Sequence, residues 1–103
     1  MITHKQIKKL IEYPKSGIIS KEIFKTNKFD ATLFCMAKDT DISDHTSTRE
    51  ALVFVLEGKG IFRLERKAIK MEAGILIHME SNAVHSLRAE KNTSFILTLL
   101  NKF

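Results

Sequence analysis

Residues 44–60 read DHTSTREALVFVLEGKG, and the order of residue types in this run decides the fold. The run begins at His45 and crosses a corner with no apolar residue, Thr46-Ser47-Thr48-Arg49. It then enters ALVFVL, residues 51–56, where Ala51, Val53 and Val55 alternate with Leu52, Phe54 and Leu56. At period two, both faces of such a strand are apolar, and both need a cover. Glu57-Gly58-Lys59-Gly60 ends it. Residues 74–85, GILIHMESNAVH, carry the same parts in reverse: glycine, apolar strand, polar corner, histidine. If the two runs meet, His45 and His85 share one pocket.

Outward from these runs, period two continues. Residues 18–24, 31–37, 61–64, 68–71, 75–78, 84–87 and 93–100 also read as strands, separated by turns such as Thr26-Asn27-Lys28 and Glu72-Ala73-Gly74. Residues 38–41 read as a loop leading through Ile42-Ser43 to His45. About nine short strands at regular spacing indicate an antiparallel sandwich or barrel. Only residues 1–13 break the pattern. Ile7, Leu10 and Ile11 fall at helical spacing behind a Thr3…Gln6 capping signal, and Pro14 closes the segment, so a short amphipathic helix is expected there. It is too short to stand alone and needs the body or a partner chain to lie on. The expected organisation is a basic flank, residues 1–16, and one β-barrel domain, residues 17–103.

Composition narrows the class. A chain of 103 residues with 44% apolar and 28% charged residues suits one folded domain. Cys35 is the single cysteine, so no intrachain disulfide can form, and it reads as a small buried hydrophobe. No apolar run approaches the roughly 18 residues of a membrane helix, and the first residues make a poor signal peptide. A cytoplasmic, membrane-free protein is expected. The net charge of +5 resides in residues 1–28, where seven lysines face Glu12 and Glu22; the remainder is neutral. Those 28 residues hold no arginine and only Tyr13 and Phe24 as aromatics, so nucleic-acid binding is not expected. No phosphate-binding glycine loop and no serine or cysteine with a recognisable base partner is present.

Glycine-bounded strands with histidine corners resemble the cupin superfamily, whose motifs are G-x5-H-x-H-x3,4-E-x6-G and G-x5-P-x-G-x2-H-x3-N. Anchored on Gly58, the first motif places its histidines on His45 and Ser47 and its glutamate on Ala51. Anchored on Gly74, the second places its proline region on Met79-Glu80, its small residue on Asn82 or Ala83, its histidine on His85 and its asparagine on Ala89. The resemblance spans residues 17–100 and implies an all-β fold, a double-stranded β-helix or jelly-roll barrel. It is similar to a subgroup of small single-domain cupins that are usually dimeric.

A full cupin site gives three histidines and a carboxylate to iron, manganese, nickel or zinc. Here His45 and His85 remain; Ser47 is a poor ligand when neutral, and Ala51 is none. Glu50 adjoins the glutamate position and reaches the pocket only through a bulge, because a one-residue offset points it to the other face. His78 stands on the strand before the second corner, facing in or out, and Cys35 is a further candidate soft ligand. Two readings follow. In the first, the barrel binds a small organic molecule in an apolar cavity with His45, Ser47, His85 and Arg49 as its polar groups, the histidines being also suited to a sensor role. In the second, His45 and His85, with Glu50 or His78, hold a divalent transition metal that serves an oxygenase or isomerase. A third reading is an interaction protein with a vestigial pocket. Phe34, Met36, Phe54, Phe62 and Met71 are expected to line the barrel or a dimer contact. Strands apolar on both faces in so short a chain favour a homodimer.

Overall fold

The computed structural model describes residues 3–101. Nine strands form two antiparallel sheets: β1 (Ile18–Lys25), β2 (Phe29–Met36), β3 (Asp41–His45), β4 (Ala51–Glu57), β5 (Gly60–Leu64), β6 (Lys67–Met71), β7 (Leu76–Met79), β8 (His85–Ala89) and β9 (Thr93–Leu100). One sheet has the order β1-β2-β9-β4-β7 and the other β3-β8-β5-β6. The jelly-roll expectation therefore holds, and the strands follow the alternation of the sequence. On β4 the inward residues Ala51, Val53 and Val55 are at most 1% exposed, whereas Phe54 is 42% exposed. With Phe62, Met71, Ile77, Leu87 and Phe95 they form the core between the sheets.

The strands with two apolar faces have a second cover. Leu33 and Cys35 point away from the main core, and Leu56 and Ile96 join them on the outer face of the five-stranded sheet. Ile7, Leu10, Ile11 and Tyr13 pack over this patch. Lys5 Nζ donates to Ile23 O (2.7 Å), Lys21 Nζ donates to Leu10 O (2.8 Å), and Tyr13 Oη donates to Glu57 Oε2 (2.9 Å). The N-terminal flank is thus a strap held across the sheet. It does not form the expected helix: among the described residues only Ile7–Lys9 make a single 3-10 turn, and Gln6 at its start makes no side-chain cap. Thr3 bonds the neighbouring His4 ring instead of capping a helix. The correction has a physical cause: the segment's apolar side chains are buried on the sheet and Lys5, Lys21 and Tyr13 tie it down, so tertiary packing holds it where a helix this short would not stand alone.

A second correction concerns β3. Residues 41–45, read as a loop and its exit, pair with β8 through Asp41–Arg88, Ile42–Leu87 and His45–His85, with a register shift between Ile42 and His45. Gly58 marks the opposite end of the barrel. Its φ is +113°, and a Cβ there would lie 2.5 Å from Asn92 O and from Thr93. Only glycine allows that turn to press against the entry of β9.

Candidate functional site

The two histidine corners meet. His45 and His85 are direct cross-strand partners on β3 and β8, and their ring centroids are 3.9 Å apart at 58°. The corners are tied by backbone: Asn82 N–H donates to Ser47 O at 2.6 Å. Asn82 has φ +67°, the left-handed conformation that asparagine tolerates, so it takes the glycine place of the second motif.

Each ring is fixed by its own strand. His45 Nδ1 lies 3.0 Å from Ser43 O, and His85 Nδ1 lies 3.0 Å from Ala83 O. A carbonyl only accepts, so both Nδ1 atoms carry the proton and donate. In the neutral rings Nε2 is then the lone-pair nitrogen, and neither Nε2 has a protein partner among the described residues. His85 is 7% exposed, while His45 stands exposed at the entrance. Burial is the main cause holding the His85 pKa below its ordinary value; the bond to Ala83 opposes this and the neighbouring His45 adds to it. The Phe62 ring lies parallel to that of His85, within 1° and 5.9 Å between centroids.

Both histidines line a cavity of about 100 Å³ whose other walls are apolar: Phe34, Ile42, Val53, Phe62, Met79, Leu87, Phe95 and Leu97. The expectation that Phe34 and Phe62 face the barrel interior is met. Met36 and Met71 belong to the same core without lining the cavity, and Phe54 points out. The walls not anticipated share period-two faces with residues already singled out. Leu87 follows His85 by two, and Val53 follows Ala51 by two, so that spacing was the available signal. A larger surface depression, about 650 Å³, lies around Gly58–Ile61, where four lysines and three glutamates mix, and holds neither histidine.

The remaining candidates are elsewhere. Ser47 does not line the cavity; its hydroxyl accepts the Arg49 backbone N–H at 3.1 Å and shapes the corner. Arg49 is also absent from the lining. Its guanidinium bonds Asp30 Oδ2 (2.9 Å), Leu99 O (3.1 Å) and Leu100 O (3.4 Å), clamping the start of β2 to the end of β9. Glu50 and His78 meet each other at 2.6 Å on the outside, both about half exposed. No bulge turns Glu50 inward, and strand alternation keeps His78 out, since its partner Leu52 is on the outer face of β4. Cys35 is fully buried beneath the strap, on the face away from the cavity. Among the described residues, no three histidine, cysteine or carboxylate side chains come together as a metal site.

A two-sheet jelly roll whose histidine corners close on an interior cavity defines a small β-barrel of the double-stranded β-helix class. The cupin domain profile matches residues 32–100, and the chain belongs to that family. No curated protein matches the sequence. Among solved structures, it is similar to a conserved protein of unknown function from Streptococcus pyogenes, with a TM-score of 0.87 at 17% identity over 100% of this chain and 90% of that one. A cupin 2 conserved barrel domain protein from Leptotrichia buccalis matches with a TM-score of 0.83 at 25% identity, over 91% of this chain and 46% of that one. Salicylate 1,2-dioxygenase from Pseudoaminobacter salicylatoxidans matches with a TM-score of 0.76 at 16% identity, over 81% of this chain and 26% of that one, a likeness of fold.

The donor set does not fit the metal centre that the family motif describes. Ala51 stands at the carboxylate position, is 1% exposed and offers no donor atom from its side chain. The Ser47 hydroxyl is committed to the corner, and the nearest carboxylate in sequence, Glu50, pairs outside with His78. Two imidazoles fall short of the three protein ligands of a typical catalytic centre.

Proposed function

We propose that this protein is a small-molecule-binding cupin whose metal motif has given way to a pair of imidazoles. One observation carries the reading: His45 and His85 are locked by Nδ1 bonds to their own strands, leaving two Nε2 acceptors on an otherwise apolar cavity. A few convergent polar atoms in an apolar enclosure is the usual composition of a ligand site. The volume, about 100 Å³, sets a small ligand. The oxygenase or isomerase alternative needs a third protein ligand, and no described side chain supplies it.

The test is a titration with single-ring and short-chain fragments, read by the methyl resonances of Ile42, Met79, Leu87 and Leu97. Shifts confined to these methyls are expected with at least one fragment. Shifts only at surface methyls such as Leu76 would refute an interior site. In parallel, protein incubated with iron, manganese, nickel or zinc is expected to carry no stoichiometric metal through gel filtration. Stoichiometric metal that is lost in His45→Ala would restore the metal-enzyme reading.

A further inference from the structure

The polar atoms of the cavity specify more than size. Both ring nitrogens that could donate are spent on Ser43 O and Ala83 O, and the rings do not hydrogen-bond each other. What remains is two acceptors and no donor, because every other lining residue is apolar. A carbonyl or ether oxygen brought inside would find nothing to accept from. A carboxylate would lose its hydration with no cation to replace it, since the nearby guanidinium, Arg49, is outside the lining and held by Asp30 and two carbonyls. A fully apolar guest would leave the Nε2 of His85, a residue 7% exposed, buried without a partner.

Shape narrows the class again. An apolar cavity of roughly 150 Å³ holds one benzene. The volume here, about 100 Å³, is smaller than that, so a single ring would enter only with one edge left in the mouth at exposed His45. The flat walls suit a ring: Phe62 lies parallel to His85, and Phe34 stacks on Phe95 at 5.3 Å between centroids.

We infer that the cavity selects a neutral, ring-sized molecule bearing an O–H or N–H donor, and rejects the corresponding carboxylate. This rests on the small-molecule reading above and goes beyond it by fixing the ligand's charge and hydrogen-bond sense. The donor points at His85 Nε2 and the ring lies among Phe34, Phe62 and Phe95.

Three probes of similar size separate the possibilities: phenol, toluene and benzoate, each titrated into the full chain at pH 7.5 and followed by the cavity methyls. Phenol is expected to bind at least tenfold more tightly than benzoate. The ratio of toluene to phenol dissociation constants is expected to fall at least tenfold in His85→Leu, because the variant removes the acceptor that toluene leaves unpaired. The ¹⁵N resonance of His85 Nε2 in the wild-type protein gives a readout independent of any variant. It is expected to move on phenol addition while Nδ1 stays protonated. Benzoate binding as tightly as phenol, an unmoved Nε2 resonance, or equal losses for phenol and toluene in His85→Leu would overturn the ligand class while leaving the interior site intact. No cavity methyl responding to any of the three, toluene included, would overturn the inference and the site together.

Discussion

Replacing Arg49 by alanine separates a binding role for this residue from the clamp seen in the structure. The substitution removes an ion pair to Asp30 at 2.9 Å and a bond to Leu99 O at 3.1 Å; the contact to Leu100 O at 3.4 Å is weak by geometry. The side chains of Arg49 and Asp30 are 27% and 22% exposed, between the surface and buried cases. Exposed pairs contribute up to about 1 kcal/mol, and breaking a buried pair costs about 3–5 kcal/mol. A half-buried pair with one good additional bond should therefore be worth about 2–3 kcal/mol. Asp30 makes the upper part of that range reasonable, since its Oδ1 is already buried without a partner and Arg49 is what neutralises the group. For a domain of this size such a loss lowers Tm by on the order of 10 °C. Urea unfolding and thermal melts on wild type, Arg49→Ala, Asp30→Asn and the double variant make a complete cycle. The expected coupling is about 1–2 kcal/mol, with Asp30→Asn partly rescuing Arg49→Ala. Ligand shifts at the cavity methyls should be retained in Arg49→Ala under conditions where it is folded. Native-like stability with loss of cavity binding would refute the clamp and return Arg49 to the site.

The other expectations are shorter. Burial holds the His85 pKa below the ordinary value of about 6.5, so the unfolded chain binds more protons just below that pH; stability is complete above it and falls as the pH drops through it. His85→Phe should remove that part of the acid loss, and superimposable stability–pH profiles for the two proteins would contradict the assignment. Gly58→Ala should cost on the order of 3 kcal/mol in urea unfolding, from positive φ and collision together, and Gly17→Ala distinctly less, because Gly17 has φ +80° but open space around it. Comparable losses at the two glycines would show that the close approach to Asn92 and Thr93 does not matter. A second copy of the chain is the cover we propose for the part of the five-stranded sheet the strap leaves bare, where Leu76 is 62% and Phe54 42% exposed as cross-strand partners. The neighbouring Glu50 carboxylate is already bonded to the His78 ring at 2.6 Å. Sedimentation should give a dimer for wild type and a monomer for Leu76→Glu; a wild-type monomer at micromolar concentration would end the proposal.

Most of the barrel was legible because its strands obey one rule. Period two along residues 51–56 sorts Ala51, Val53 and Val55 to the interior, and the positive φ of Gly58 and Gly74 falls where the sequence breaks. The meeting of His45 and His85 was legible from the symmetry of the two corners. What failed did so where tertiary bonds override local pattern. The spacing of Ile7, Leu10 and Ile11 suits a helix, but a strap tied down by Lys5, Lys21 and Tyr13 buries the same side chains without one. β3 was hidden because only Ile42 joins the core from it; Asp41 and Ser43 are too polar to announce a strand, and pairing with β8 supplies what propensity does not. Arg49 reads in the sequence as a charge on the rim of a corner, whereas its guanidinium reaches Asp30 and the carbonyls of Leu99 and Leu100, partners far away in the sequence.

The alanine at position 51 and the lowered pKa of His85 point the same way. An inward carboxylate at this position, beside Met79 on the neighbouring strand, would be a buried anion, tolerable only with a metal or a charged imidazole to balance it. With alanine there, no anion faces the cavity, and His45, with its ring centroid 3.9 Å away, adds to the burial that lowers the His85 pKa. Phe62 lies parallel to His85, and the donation of each Nδ1 to its own strand fixes the orientation of both rings. With Ala51 in place of a carboxylate, the two corners bring two imidazoles together with no third histidine, cysteine or carboxylate among the described residues, on the same fold.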